Sequence, residues 1–188
     1  STAFDDKSDN SYEGITNKTL LNFETKDIIS PTLIKISPSN NETSVELDKD
    51  IVLTFSENVY AKTGNIYIKK SSDDSIFETI DIQSSQISGS GTNTITINPS
   101  IDFDSSTEYY ILINSGTFDD ISGNSFEGIS KKSIFNFKTK DSLLPLLKES
   151  SPADNSTAVE VDSNLVLTFS EEVESKTGNI YIRKSSDD

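Results

Sequence analysis

The sequence predicts an all-β protein assembled from repeated β-sandwich modules, and three observations carry that prediction. The first is an internal repeat. FDDKSDNSYEGITNKTLLNFETKD at Phe4–Asp27 returns as FDDISGNSFEGISKKSIFNFKTKD at Phe118–Asp141, and IVLTFSENVYAKTGNIYIKKSSDD at Ile51–Asp74 returns as LVLTFSEEVESKTGNIYIRKSSDD at Leu165–Asp188, with an offset of 114 residues in each case. Roughly three in five of the overlapping positions are identical, with no insertion or deletion. The second observation is a succession of short alternating segments rich in Ile, Val, Phe, Tyr and Thr, parted by clusters of Gly, Asn, Asp and Ser. The third is that no segment of useful length has a helical period.

Taken in order, the predicted strands of the central copy are 33–36, 51–55, 65–69, 77–82, 94–97, 108–113 and 134–138. About seven strands in about 110 residues fit an immunoglobulin-like Greek-key sandwich. Side chains alternate between the faces of a strand, so alternation assigns the core. Ile51, Leu53 and Phe55 share one face, as do Ile66 and Ile68, Ile95 and Ile97, Tyr109, Ile111 and Ile113, and Phe135 and Phe137. The following copy keeps the pattern at Leu165, Leu167, Phe169, Ile180 and Ile182. Tyr109 stands where many such sandwiches carry the tyrosine that fixes the corner before the sixth strand, and it serves equally as a plain core aromatic.

The repeat sets the domain boundaries: residues 1–29 as the last part of one copy, 30–141 as a complete copy, and 142–188 as the first part of the next. A module of that length buries a core without crosslinks. The expectation is a window on an end-to-end tandem array in which each partial copy is completed by further chain or by neighbouring molecules. The linkers, TKDIISP at 25–31 and TKDSLLP at 139–145, are short and end in proline, which restrains the joint. In a seven-strand sandwich the first and last strands run the same way, so the chain enters at one pole and leaves at the other.

Composition removes several chemistries. Cysteine, histidine, methionine and tryptophan are absent, so disulfides, thiol or imidazole catalysis and thiolate metal sites are excluded. Acids outnumber bases 31 to 16, for a net charge of −15. That balance repels nucleic acid and anionic membrane surfaces and attracts divalent cations, although it also describes a plain solvated acidic surface. No signal peptide or membrane-length apolar run is present, so direct membrane insertion of this segment is not expected.

The ordered motifs SPSNNETSVELDKDIVLTFSENV, TGNIYI, SSTEYYILI, FDDISGNSFEG and IFNFKT resemble the bacterial Ig-like domain of S-layer proteins and giant surface adhesins, over the central copy and both partial ones. The resemblance implies an extracellular structural or adhesive module at the cell surface or secreted, and no catalytic role. Asp9 stands in the first copy where the D-x-x-G-N loop has Gly123, which leaves that loop's conformation open.

In Asp119-Asp120-Ile121-Ser122-Gly123-Asn124, oxygens alternate at Asp120, Ser122 and Asn124 in the manner of a calcium loop, but no glycine stands at its sixth position and no glutamate at its twelfth. The loop alone reads more simply as a turn in which Asp120 bonds the backbone and Gly123 supplies a positive φ. Topology adds more. A loop after the second strand carrying Ser56 and Glu57, the loop carrying Asp119 and Asp120, and the linker carboxylate Asp27 all come to the pole where the chain enters. Asp27, Glu57, Asp119 and Asp120 are therefore candidate calcium ligands at a module joint, and Asp141 and Glu171 repeat part of the set at the next one. The alternative is that these acids merely face solvent. Asn17, Asn41 and Asn155 fall in N-x-S/T triplets that a chain this rich in Asn, Ser and Thr produces by chance.

An enzyme is not expected, since a hydrolase without His or Cys needs paired carboxylates or a Ser–Lys pair in a shared pocket. The leading function is a spacer or stalk module of a long extracellular protein, with neighbouring repeats and other fibre subunits as partners. The runner-up is a multivalent recognition module that binds glycans or a receptor through its loops. Its aromatic candidates are Tyr60, Tyr67 and Tyr110, and Tyr60 is replaced by Glu174 in the next copy.

Overall fold

The computed structural model describes residues 3–184. Two compact units are present, residues 1–140 and 141–188. In the first, ten strands run β1 (Leu33–Ser37), β2 (Glu42–Val45), β3 (Ile51–Ala61), β4 (Asn65–Lys70), β5 (Ile76–Asp81), β6 (Ile87–Ser88), β7 (Thr92–Ile97), β8 (Glu108–Ile113), β9 (Phe118–Asp119) and β10 (Asn136–Thr139). Among the described residues there is no helix.

One sheet has the order β1-β3-β7-β6, with β9 pairing the far end of β3, and the other has the order β2-β10-β8-β4-β5. The segment at 33–45 thus forms an edge of both sheets, crossing between them at Pro38. β2 lies parallel to β10 and β1 antiparallel to β3. The expected common direction of the first and last strands is therefore seen in the β2–β10 pair. β3 runs from the pole where the chain leaves, beside Val45, to the pole where it enters, where the Ser56 amide bonds the Thr32 carbonyl. These are called the distal and proximal poles.

Every core position assigned by alternation in the central copy is buried. Val45, Val59, Ile80, Ile82, Phe103, Phe118, Phe126 and Ile129 complete the cluster. Phe103, Tyr109 and Phe137 pack as a group with centroid separations of 4.9 to 5.8 Å. The Tyr109 hydroxyl accepts the Asp104 amide proton at 2.9 Å, which is the corner role foreseen for it. Beside it the Thr139 hydroxyl donates to the Asp104 carbonyl (2.7 Å) and accepts from the Thr107 amide (2.9 Å), tying the end of β10 to the same corner.

Three short strands, β2, β6 and β9, and the extension of β3 from Ser56 to Ala61 lie outside the sequence prediction. Ser56 and Glu57 consequently sit within a strand, not in a loop after it. The pairing of β3 with β7 is broken between Thr54 and Val59, and beyond the break β3 takes β9 as a partner through Tyr60 and Ala61.

The second unit holds β11 (Leu147–Ser151) and β12 (Val166–Phe169), antiparallel, with Leu147 opposite Phe169 as Leu33 is opposite Phe55. Its predicted core positions are not enclosed. Leu165, Ile180 and Ile182 are exposed, and Leu167 and Phe169 are half-buried, because this unit has no second sheet to cover them among the described residues. Residues 3–29 form no strand, and Phe23 is 86% exposed where its counterpart Phe137 is 1% exposed.

Candidate cation site at the proximal pole

Three carboxylates from distant parts of the sequence meet where the linker joins the module. Asp27, Glu57 and Asp120 each bring an oxygen within 4.8 Å of the others. Two oxygens bound to one calcium ion at about 2.4 Å are at most about 4.8 Å apart, so this spacing suits a shared hard cation. Among the described residues no lysine or arginine pairs with any of the three.

Each acid is placed by local chemistry. Asp27 closes a turn in the linker by accepting the Ile29 amide proton at 2.9 Å. Glu57 lies in the interrupted part of β3, in phase with buried Phe55 and Val59, so its side chain turns toward the interior and is half-buried. Asp120, 3% exposed, heads the D-x-x-G-N turn. Its two carboxylate oxygens accept the Asn124 backbone N–H at 2.8 Å and the Asn124 side-chain amide at 2.7 Å. The same side-chain amide lies 3.3 Å from the Asp27 carbonyl, so Asn124 ties loop to linker. The turn is anchored below by Phe118 and Phe126, which pack on Phe55 at 5.3 and 5.2 Å.

The electrostatics differ between the acids. Burial, then the charges of Asp120 and Asp27, push the Glu57 carboxyl above its ordinary value. Burial also acts to raise Asp120, but hydrogen bonds from Asn124, Ser122 and Gly123 outweigh it and hold the carboxyl below the usual range. Of the acids in the cluster, Glu57 is the one whose ionised form the surroundings disfavour, because it is partly buried and the other two carboxylates face it.

The other predicted ligands lie elsewhere. Asp119 is not in the cluster. It pairs with Tyr60 in the β3–β9 ladder, which sends its side chain to the Ser125 hydroxyl (2.6 Å) and to Lys62 (3.8 Å). Successive residues of an extended segment point to opposite sides, so Asp119 and Asp120 do not both face the site. Asp141 and Glu171, counterparts of Asp27 and Glu57, belong to the second unit. There Asp141 accepts the Leu143 amide at 3.0 Å, and the Leu146 amide donates to the Ser170 hydroxyl at 2.9 Å as Thr32 does to Ser56 at 3.1 Å. Among the described residues no third acid joins them.

The turn reading of the D-x-x-G-N loop also holds. Gly123 has φ +84°, and in the first copy Asp9 takes φ +62° while Asp6 repeats the bonds to Asn10 at 3.0 Å from both backbone and side chain. Aspartate tolerates the left-handed region, so the substitution leaves the turn intact. The residue missed by sequence reasoning is Asn124 as a tether to the linker. The D-x-x-G-N motif flagged the residue, but its reach to Asp27 depends on tertiary placement.

The aromatic candidates for a recognition face are largely withdrawn. Tyr110 is buried, with Lys69 and Lys132 each 5.7 Å from its ring centre and its hydroxyl donating to Asp74 at 3.0 Å. Tyr67 is half-buried in the outer face of β4.

No curated protein matches the sequence. Among solved structures, the crystal structure of CopC from Methylosinus trichosporium OB3b is similar with a TM-score of 0.43 at 16% sequence identity, over 61% of this chain and 97% of that one. The profile of the bacterial Ig-like domain family matches residues 27–139, from the linker carboxylate to the last residue of β10. That span is more than half of the sequence and coincides with the complete sandwich, and the chain belongs to the bacterial Ig-like domain family.

Proposed function

We propose that this chain is a stretch of the stalk of a long extracellular bacterial protein, a tandem array of 114-residue modules acting as a non-catalytic spacer, with a calcium ion bound at the proximal pole of each module. The observation that carries the proposal is the convergence of Asp27, Glu57 and Asp120, because one of the three comes from the linker. A cation held by all three fixes the linker against the module body and relieves the repulsion on Glu57. Family membership supports placement outside the cytoplasm, at a cell surface or in a secreted fibre. No helix among the described residues is long and apolar enough to cross a membrane.

Calcium titration by calorimetry is the test. The complete module is expected to bind one ion, with Asp27→Asn, Glu57→Gln and Asp120→Asn each weakening binding at least about tenfold. Absence of calcium heat at millimolar concentration, with the chain folded, would remove the cation from the proposal. The recognition reading has less support, since Tyr110 is covered and Tyr60 is not retained in the next copy.

A further inference from the structure

The arrangement of the first and last strands has a mechanical consequence. A pull on the chain at residues 31 and 140 draws β1 and β2 toward the proximal pole and β10 toward the distal pole. β2 and β10 are parallel neighbours, so this force acts along their common axis. Every bond between them is then loaded at the same time. Bonds loaded together in shear must break together, whereas bonds at the open end of a hairpin break one after another.

The seam is well supplied with such bonds. The Asn41 amide donates to the Asn136 carbonyl at 2.8 Å, and the Lys140 amide to the Val45 carbonyl at 2.9 Å. Asn40 grips the incoming segment of β10 from both sides. Its side-chain amide donates to the Ser133 carbonyl at 3.1 Å, and its side-chain oxygen accepts the Asn136 amide proton at 3.0 Å. Lys140 and Glu46 close the distal end as an ion pair. On the other sheet the same terminal segment is held by β1 against β3, from Leu33 opposite Phe55 to Ser37 opposite Val52, and this ladder is sheared by the same pull. The terminal segment therefore has to slip on both sheets before the core opens. By contrast β5 is an edge strand joined only to β4, with Asn65 opposite Asp81 at the open end of the hairpin.

We infer that the module is built to bear tension along the line from its linker to its exit, and that the Asn40–Asn136 and Lys140–Glu46 contacts along the β2–β10 seam are the clamp that resists it. The inference concerns the module body and holds whether or not the joint binds a cation. It is accordingly tested in EDTA, so its failure and that of the calcium proposal are separable.

The test is single-molecule pulling of the 188-residue chain, in which the absence of native cysteine allows paired thiol handles. Ser30→Cys with Ser142→Cys loads the seam in shear. Thr63→Cys with Gln83→Cys loads the open end of the β4–β5 hairpin and peels it. The unfolding force is expected to be at least about twofold higher in the first geometry at equal loading rate, since forced unfolding reports the barrier along the pulled direction. Asn40→Ala is expected to lower the force in the first geometry and leave the second unchanged; should Asn40→Ala impair folding, Glu46→Gln serves in its place. Equal forces in the two geometries would overturn the inference. So would a clamp variant that lowers both forces in proportion, or one that lowers neither.

Discussion

Tyr109 illustrates how one side chain serves both core and corner. Its ring fills the space between Phe103 and Phe137, and its hydroxyl takes the Asp104 amide that the chain would otherwise leave unbonded at the turn. Tyr109→Phe keeps the ring and removes the acceptor, so a loss of about 1–2 kcal/mol in denaturant unfolding is expected. Burial, with the adjacent Asp104 charge, raises the phenol to about 12. Its folded value lies above the unfolded one, so the stability it contributes is fully present below about pH 10. That contribution is lost as pH rises toward about 12, because the unfolded chain gives up the proton first, and Tyr109→Phe should flatten this alkaline decline. Glu57 obeys the same sign at lower pH. Its raised carboxyl costs stability once ionised, so without metal Glu57→Gln should raise the melting temperature near neutral pH by a few degrees at most. A carboxyl that holds its proton longer also competes with a cation, and calcium affinity should fall as the solution is acidified toward the glutamate range.

At the scale of elements, the regular strands were legible because their burial alternates with period two. Ile51, Leu53 and Phe55 announce β3 and bound its predicted extent, and in the structure the same phase persists through Glu57 to Val59. The expected loop at Ser56 and Glu57 is instead an interruption of the β3–β7 pairing within the strand, where a carboxylate occupies the core phase. β2 was not legible because Val45 is its one buried residue, and β6 and β9 are two residues each. Topology alone points Asp120 toward Asp27 and Glu57, and the structure brings these three carboxylates together, whereas Asp119, the neighbouring acid of the same segment, lies outside the cluster. Asp119 pairs with Tyr60 in β9, and a strand sends neighbouring side chains to opposite sides. The turn that carries Asp120 depends on Phe118, fully buried against Phe55 and Phe126. Phe118→Ala is expected to cost about 3–5 kcal/mol in equilibrium unfolding, and to weaken calcium binding beyond what the loss of stability alone brings.

Over the whole molecule, the same residue types meet opposite fates according to the cover available. Ile68 is fully buried while its counterpart Ile182 is 85% exposed, and Phe137 and Phe23 differ in the same way. The local pattern is common to all copies and even reproduces pairings such as Leu147 with Phe169, but burial needs the facing sheet. Hydrogen exchange of the 188-residue chain should therefore show strong protection confined to strands within residues 33–139, with the flanking segments exchanging rapidly; full protection of both flanks in a dilute monomer would contradict this. On the proposed reading, a cation draws the linker, the β3 interruption and the D-x-x-G-N turn into one joint. Thermal melting of the wild-type chain and Glu57→Gln, each in EDTA and in excess calcium, tests it most directly. Calcium is expected to raise the wild-type midpoint by several degrees and to leave the variant almost unmoved. A wild-type midpoint indifferent to calcium, or an equal rise in both proteins, would contradict it.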